Sequence, residues 1–141
     1  MSAIIGKPVS LIRRGPLVAV KLGAPKHLPS TEPPIDTLAE INTSSMNTFI
    51  QEGVATSLGL EPIEPIEITT ATQPVYESYV YRIRLLFPDG NAVEVNAIEV
   101  PYMIRSNVRI KCLIGRDILQ LCVLTYNGLA NTFSLDFQLG K

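Results

Sequence analysis

The sequence predicts an all-β domain: a closed or sandwiched barrel of roughly nine short strands with one or two short helices. Three observations carry that expectation. Short apolar or alternating runs recur along the chain, each closed by a glycine, proline or asparagine turn. Only Ile50 to Ser57 reads as a helix of any length. The apolar fraction is 46% against 18% charged, enough for a packed core in a single domain spanning 1–141.

The elements follow in order. Leu17 to Leu22 is an apolar run between Gly15-Pro16 and Gly23, which suits a buried strand. The segment 24–35 holds Pro25, Pro29, Pro33 and Pro34, so it continues neither sheet nor helix and reads as a surface connection. Leu38 to Ile41 resumes an extended pattern and leads into Asn42-Thr43-Ser44-Ser45. After the helix at Ile50 to Ser57, Gly59 suits a left-handed cap with Leu60 folding back onto it. Ile63 to Thr70 alternates, and Thr69 to Gln73 breaks the pattern as a hairpin tip would.

From Tyr79 the alternation returns, with Tyr81, Ile83 and Leu85 on one face and Arg82 and Arg84 on the other. Arg82, Arg84 and Glu94 read as exposed cross-strand pairs of small energetic weight. Pro88-Asp89-Gly90-Asn91 is a turn, and Val93, Val95 and Ala97 lie on the returning strand. Val108 to Ile114 is a further strand, and Ile118 to Cys122 a helical turn or two. Val123 to Tyr126 and Thr132 to Leu139 make a last hairpin around Asn127-Gly128. In that final strand Phe133, Leu135, Phe137 and Leu139 share one face, which requires a core or a partner.

Charge and cysteine content narrow the function classes. Twelve Lys+Arg against thirteen Asp+Glu leave a net charge of -1, so there is no basic field for nucleic acid and no cationic face for a membrane. Cys112 and Cys122 have no CxxC or Cys/His company and read as reduced thiols, with a disulfide as the lesser alternative and neither a metal nor another cofactor implied. Met1 to Arg14 lacks a signal-peptide core, and no stretch nears the ~20 apolar residues of a membrane span. A soluble, cytoplasmic protein is the expectation.

Two motifs carry a more specific message. Ala39-Glu40-Ile41-Asn42-Thr43-Ser44-Ser45 is followed by Thr48-Phe49-Ile50 and by Leu58-Gly59-Leu60. Roughly seventy residues later comes Leu113-Ile114-Gly115-Arg116-Asp117, continued by Ile118-Leu119. From about Gly15 to Phe137 this resembles the retropepsin-like aspartic proteases, bacterial single-domain members in particular. The family pattern is an apolar pair, Asp-Thr-Gly-Ala/Ser, a second apolar pair, a short helix and often Leu-Gly-Leu, then an apolar pair with Gly-Arg-Asp or Gly-Arg-Asn.

The resemblance implies an acid-protease-type barrel with one active-site half per chain and a homodimer that completes the site. The implied reaction is hydrolysis of an extended peptide or protein substrate by an activated water. Two carboxylates about 3 Å apart cannot both ionise, so one keeps a proton while the other acts as base. The implied catalytic positions are Asn42, Thr43 and Ser44, with the threonine bracing the loop across the dimer axis. Ser45 and the hairpin tip Thr70, Ala71 and Thr72 would contact substrate, the tip acting as a flap although it lacks the family's glycines. Leu113, Ile114, Gly115, Arg116 and Asp117 form the structural second signature. In the family the arginine pairs with an acid just after the catalytic triplet; that position is Met46 here, and Glu52 or Asp117 are the substitutes. The first strand, Ser2 to Ile5, and the last, Phe133 to Phe137, are the implied subunit contact.

The chain departs from the pattern at its centre. Asn42 stands where the family has aspartate, and Ser44 where it has glycine; serine there occurs in working members. An amide holds water but cannot take its proton. Losing a general base costs roughly 10²–10⁴-fold, and a homodimer loses both copies. The expected activity is therefore very low or nil, in an endopeptidase lineage silenced at this position, in a pseudoprotease that binds peptide or dimerises, or, as the weakest reading, in a β-barrel scaffold with no peptide function.

Other readings carry less. Asp36-Thr37-Leu38 has the right first letters but sits too far ahead of the later landmarks and beside the proline-rich connection. Ser44 and Ser45 as nucleophiles lack a base, since the single histidine, His27, lies in that same connection.

Overall fold

The computed structural model describes residues 4–6, 11–69, 76–101 and 110–139. The backbone is mainly strand, and six strands close into a barrel. The first of these is β2 (Leu17–Gly23), which follows a short strand β1 (Ile4–Gly6) and a single helical turn α1 (Leu11–Arg14). Val18, Val20 and Leu22 of β2 are buried while Ala19 and Lys21 are exposed, the alternation that a strand with one buried face requires.

β2 pairs antiparallel with β3 (Ile35–Ile41). A three-residue strand, β4 (Phe49–Gln51), and the turn of helix α2 (Val54–Ser57) come next. A hairpin arm then runs up β5 (Glu64–Ile68) and down β6 (Tyr76–Leu86), and β6 turns into β7 (Ala92–Val100). β8 (Ile110–Ile114) inserts between β3 and β4, parallel to the first and antiparallel to the second. β4 pairs in turn with β7. Antiparallel contacts of β2 with β6, including Leu22 opposite Leu85, complete the ring in the order β2-β3-β8-β4-β7-β6.

A second, three-stranded sheet lies beside the barrel. β9 (Cys122–Asn127) and β10 (Thr132–Phe137) form a hairpin, entered through the helical turn α3 (Arg116–Leu119), and β1 adds to the outer side of β10. Phe133, Leu135 and Phe137 are buried in this chain's own core, and Phe87 meets Phe137 edge-on at a centroid distance of 4.7 Å. The strand's apolar face is thus used within the chain. The termini expected to meet a partner pair with each other here, Ile4 opposite Leu135; Ser2 lies outside the described residues.

Local chemistry explains the turns. Asp89 Oδ1 accepts the Asn91 N–H at 3.0 Å, and Gly90 adopts φ +93°, so the 88–91 segment reverses the chain as expected. At the end of α2 the Leu60 N–H reaches the Ala55 carbonyl and the Gly59 N–H that of Thr56, both at 3.0 Å, with Gly59 at φ +71°. This is the left-handed cap with its paired hydrogen bonds that Leu58-Gly59-Leu60 suggested.

Several boundaries differ from expectation. Ile50 to Ser57 is not one helix: Ile50 pairs with Cys112 and Glu99 in the sheet, and Gly53 at φ +101° separates β4 from α2. β3 starts at Ile35 because Ile35 to Glu40 pair with β2, and Pro25 is fully buried, so the connection over 24–35 is shorter and less superficial than its prolines implied. The helical turn is Arg116–Leu119, and Cys122 already belongs to β9. Residues 108 and 109 lie outside the described residues. Arg82 pairs diagonally with Glu94 at 3.9 Å and donates to Asn96 Oδ1 at 3.1 Å. No helix among the described residues is long and apolar enough to cross a membrane.

Candidate functional site

Because β3 and β8 run parallel, the loops leaving them emerge at the same end of the barrel. The Asn42 N–H donates to the Ile114 carbonyl at 2.9 Å, which brings the two sequence motifs into register where the strands stop. Ile114 is buried, and Leu113 pairs with Glu40 and Phe49 on either side.

The first loop folds on itself. Asn42 Oδ1 accepts the Ser44 N–H at 2.8 Å, a side-chain turn that asparagine and aspartate both favour. The Ser45 N–H reaches the Asn42 carbonyl at 3.3 Å, and Ser45 Oγ donates to the Asn47 carbonyl at 2.7 Å. Asn42 is half-buried, whereas Thr43 and Ser44 are exposed.

The second motif locks that loop from behind. The Arg116 N–H donates to the Ser45 carbonyl at 2.7 Å and the Asp117 N–H to the Met46 carbonyl at 3.2 Å. Thr48, fully buried, is the hub. Its hydroxyl donates to Asp117 Oδ1 at 2.7 Å and accepts the Gly115 N–H at 3.2 Å, while its own N–H donates to Asp117 Oδ2 at 2.9 Å. Asp117 Oδ1 also accepts the Ile118 N–H at 2.9 Å. Gly115 passes so close that a Cβ there would overlap the Asn47 carbonyl group and crowd the Ser45 oxygen. Its φ of -99° is unstrained, so close approach rather than backbone freedom demands the glycine.

The arginine contact corrects one expectation. Arg116 Nη1 donates to the Thr43 carbonyl at 2.9 Å, and among the described residues it pairs with neither Glu52 nor Asp117. With Met46 in the acid's usual place the guanidinium takes a backbone acceptor instead, and Asp117 is occupied by Thr48. Asn42, Thr43, Ser44, Ser45 and the segment Leu113 to Asp117 therefore come together. Thr70, Ala71 and Thr72 lie outside the described residues; β5 and β6 pair antiparallel as far as Ile68 and Tyr76 on either side of them.

Sequence reading missed the role of Thr48, which served only as a landmark. The available signal was a hydroxyl beside the apolar pair Phe49-Ile50, since a buried hydroxyl needs partners. Asp36 sits at the far end of β3, ion-paired with exposed Lys21 at 2.7 Å and remote from this constellation. His27 is exposed.

Electrostatically the loop is bare. Residues 42–48 carry no ionisable side chain, and the charges that touch them are Arg116 and Asp117. Resolved proton-affinity shifts lie elsewhere: burial, then Glu99, raises Tyr81, and burial raises Glu99 itself. Among the described residues no cluster of three or more His, Cys, Asp or Glu is arranged to hold a metal. A separate groove of about 510 Å³ lies between the proline-rich connection (Leu28, Pro29, Glu32) and the end of α2 (Leu58, Leu60), and no residue of the 42–48 loop lines it. No protein-family model matches the chain, and no curated protein matches it.

Proposed function

We propose that the chain is a retropepsin-like aspartic-protease scaffold that acts as a homodimer, with the two copies of Asn42 meeting at its two-fold axis. In this form it holds an extended peptide and hydrolyses it very slowly or not at all. The observation carrying the reading is the two-loop lock: a half-buried Asn42 at the end of one strand, braced from the adjacent parallel strand by Gly115 and Asp117 through Thr48 and by Arg116 through the Thr43 carbonyl.

The amide also favours binding over cleavage. The Asn42 side chain closes its turn through Oδ1, a bond an aspartate would make equally well, so the scaffold persists without the acid. The same reading puts the protein in the reducing cytoplasm, in keeping with two free cysteines.

The test is Asn42→Asp, assayed on a fluorogenic peptide library at mildly acid pH with a pepstatin-like inhibitor, alongside sedimentation of both proteins. Inhibitor-sensitive cleavage by the variant and a dimeric parent support the proposal. A strictly monomeric parent whose variant stays silent overturns it.

A further inference from the structure

We propose that the Asn42 site is a receptor for the C-terminal carboxylate of an extended peptide, an inference that rests on the two-fold groove proposed above. Asn42 Oδ1 faces the Ser44 N–H, and because a backbone N–H only donates, the amide orientation is fixed: the oxygen is engaged and Nδ2 remains. No acceptor meets Nδ2 among the described residues, and the side chain is only half-buried, within reach of a ligand. Asn42 therefore presents a donor.

The surroundings favour a negative partner. The loop from Asn42 to Thr48 has no acid. Asp117, the carboxylate bonded to it, is engaged by the Thr48 hydroxyl, the Thr48 N–H and the Ile118 N–H. The exposed Arg116 guanidinium is anchored on the Thr43 carbonyl, one residue from Asn42, and places a positive charge beside the loop.

Across a two-fold axis two Nδ2 donors face one ligand. A peptide carbonyl offers one oxygen to them, whereas a terminal carboxylate offers two oxygens and a full charge, and charge-assisted hydrogen bonds are roughly twice as strong as neutral ones. A pair of aspartates at the same place would repel that group. Exchanging acid for amide therefore does more than silence a base. It converts a site that expels a cleaved peptide's new carboxylate into one that retains it.

The experiment uses two random hexapeptide arrays that differ only at the C terminus, one with the free carboxylate and one amidated. The full-length protein, Asn42→Asp and Asn42→Ala are applied near pH 7, with circular dichroism to confirm that each is folded. The expected result is retention of carboxylate peptides by the parent about tenfold or more above amidated ones, consistent with a charged hydrogen bond. Asn42→Asp should reverse that preference, and Asn42→Ala should flatten it. Equal retention of both arrays by the parent overturns the carboxylate proposal while leaving the peptide groove standing. Retention of neither array overturns both. An unchanged preference in Asn42→Ala also overturns it, because the discrimination then lies elsewhere.

Discussion

Thr48 and Asp117 are joined by two hydrogen bonds across 69 residues of sequence, the hydroxyl to Oδ1 at 2.7 Å and the backbone N–H to Oδ2 at 2.9 Å. The Thr48 hydroxyl simultaneously accepts from the Gly115 N–H. One buried side chain thus ties the loop after β3 to the loop after β8. Replacing it tests whether the tie matters.

Thr48→Val keeps the shape but strands the Gly115 N–H and removes a donor from Asp117. Leaving such a buried group unpaired costs about 1–3 kcal/mol. Thr48→Ser keeps the hydroxyl and loses one buried methyl, about 0.8 kcal/mol. Urea denaturation should therefore rank parent, serine, valine in falling stability; a valine variant as stable as the parent would refute the hub.

Two glycines should respond differently to alanine. At Gly115 the added methyl meets backbone atoms of Asn47 that cannot swing away, so Gly115→Ala should cost at least about 3 kcal/mol or prevent folding. At Gly59 there is room, with Glu32 Cγ at 4.0 Å, and the cost is the left-handed φ of +71°, about 1–2 kcal/mol. Denaturant midpoints for the pair give the comparison.

The cysteines make the protein sensitive to alkali. Burial, followed by Asp89 and Asp136, pushes the Cys122 thiol from 9.0 up to about 11, and burial with Asp117 raises Cys112 further. The folded state holds these protons more tightly than the unfolded chain. For Cys122 that contribution is complete below pH 9 and is lost as pH rises toward 11, and for Cys112 the loss continues to higher pH. Stability should fall across this window, less steeply in Cys122→Ala, and Tyr81, raised by burial and Glu99, adds to the loss above pH 10. At pH 8 a disulfide reagent should label native Cys122 at least roughly tenfold more slowly than the unfolded chain, the stronger nucleophilicity of a high-pKa thiolate offsetting part of its scarcity.

In the proposed dimer Asn42→Asp brings two carboxylates together. Cleavage by that variant should trace a bell against pH, because one carboxyl must keep its proton while the other gives it up. Its dimer should weaken between pH 5 and pH 7 as the second charge forms, while the parent's dissociation constant stays flat over the same range. Sedimentation equilibrium at the two pH values measures this.

Much of the framework was legible because burial on one strand face leaves a mark in the sequence. Tyr81, Ile83 and Leu85 face inward with Arg82 outward, and Phe133, Leu135 and Phe137 fill the core as their spacing required. Leu58-Gly59-Leu60 gave its cap for an equally local reason. What stayed hidden was non-local. That Ile50 is a strand residue depends on Cys112 and Glu99, which are far along the chain, and that Arg116 reaches the Thr43 carbonyl depends on where β8 ends. The motif at 39–45 announced a loop, and asparagine's habit of bonding the backbone two residues on was the local sign that Ser44 N–H would take the Asn42 oxygen.

The insertion of β8 between β3 and β4 sets the order in which the protein can be made. A ribosome that has released everything through β7 has produced five of the six staves, with the gap between β3 and β4 still unfilled. The missing stave arrives next, and with it Gly115 and Asp117, so the loop over 42–48 lacks its bracing until late in synthesis. Such long-range closure is slow relative to hairpin formation. The nascent chain must therefore keep two unpaired strand edges from meeting strangers until β8 emerges.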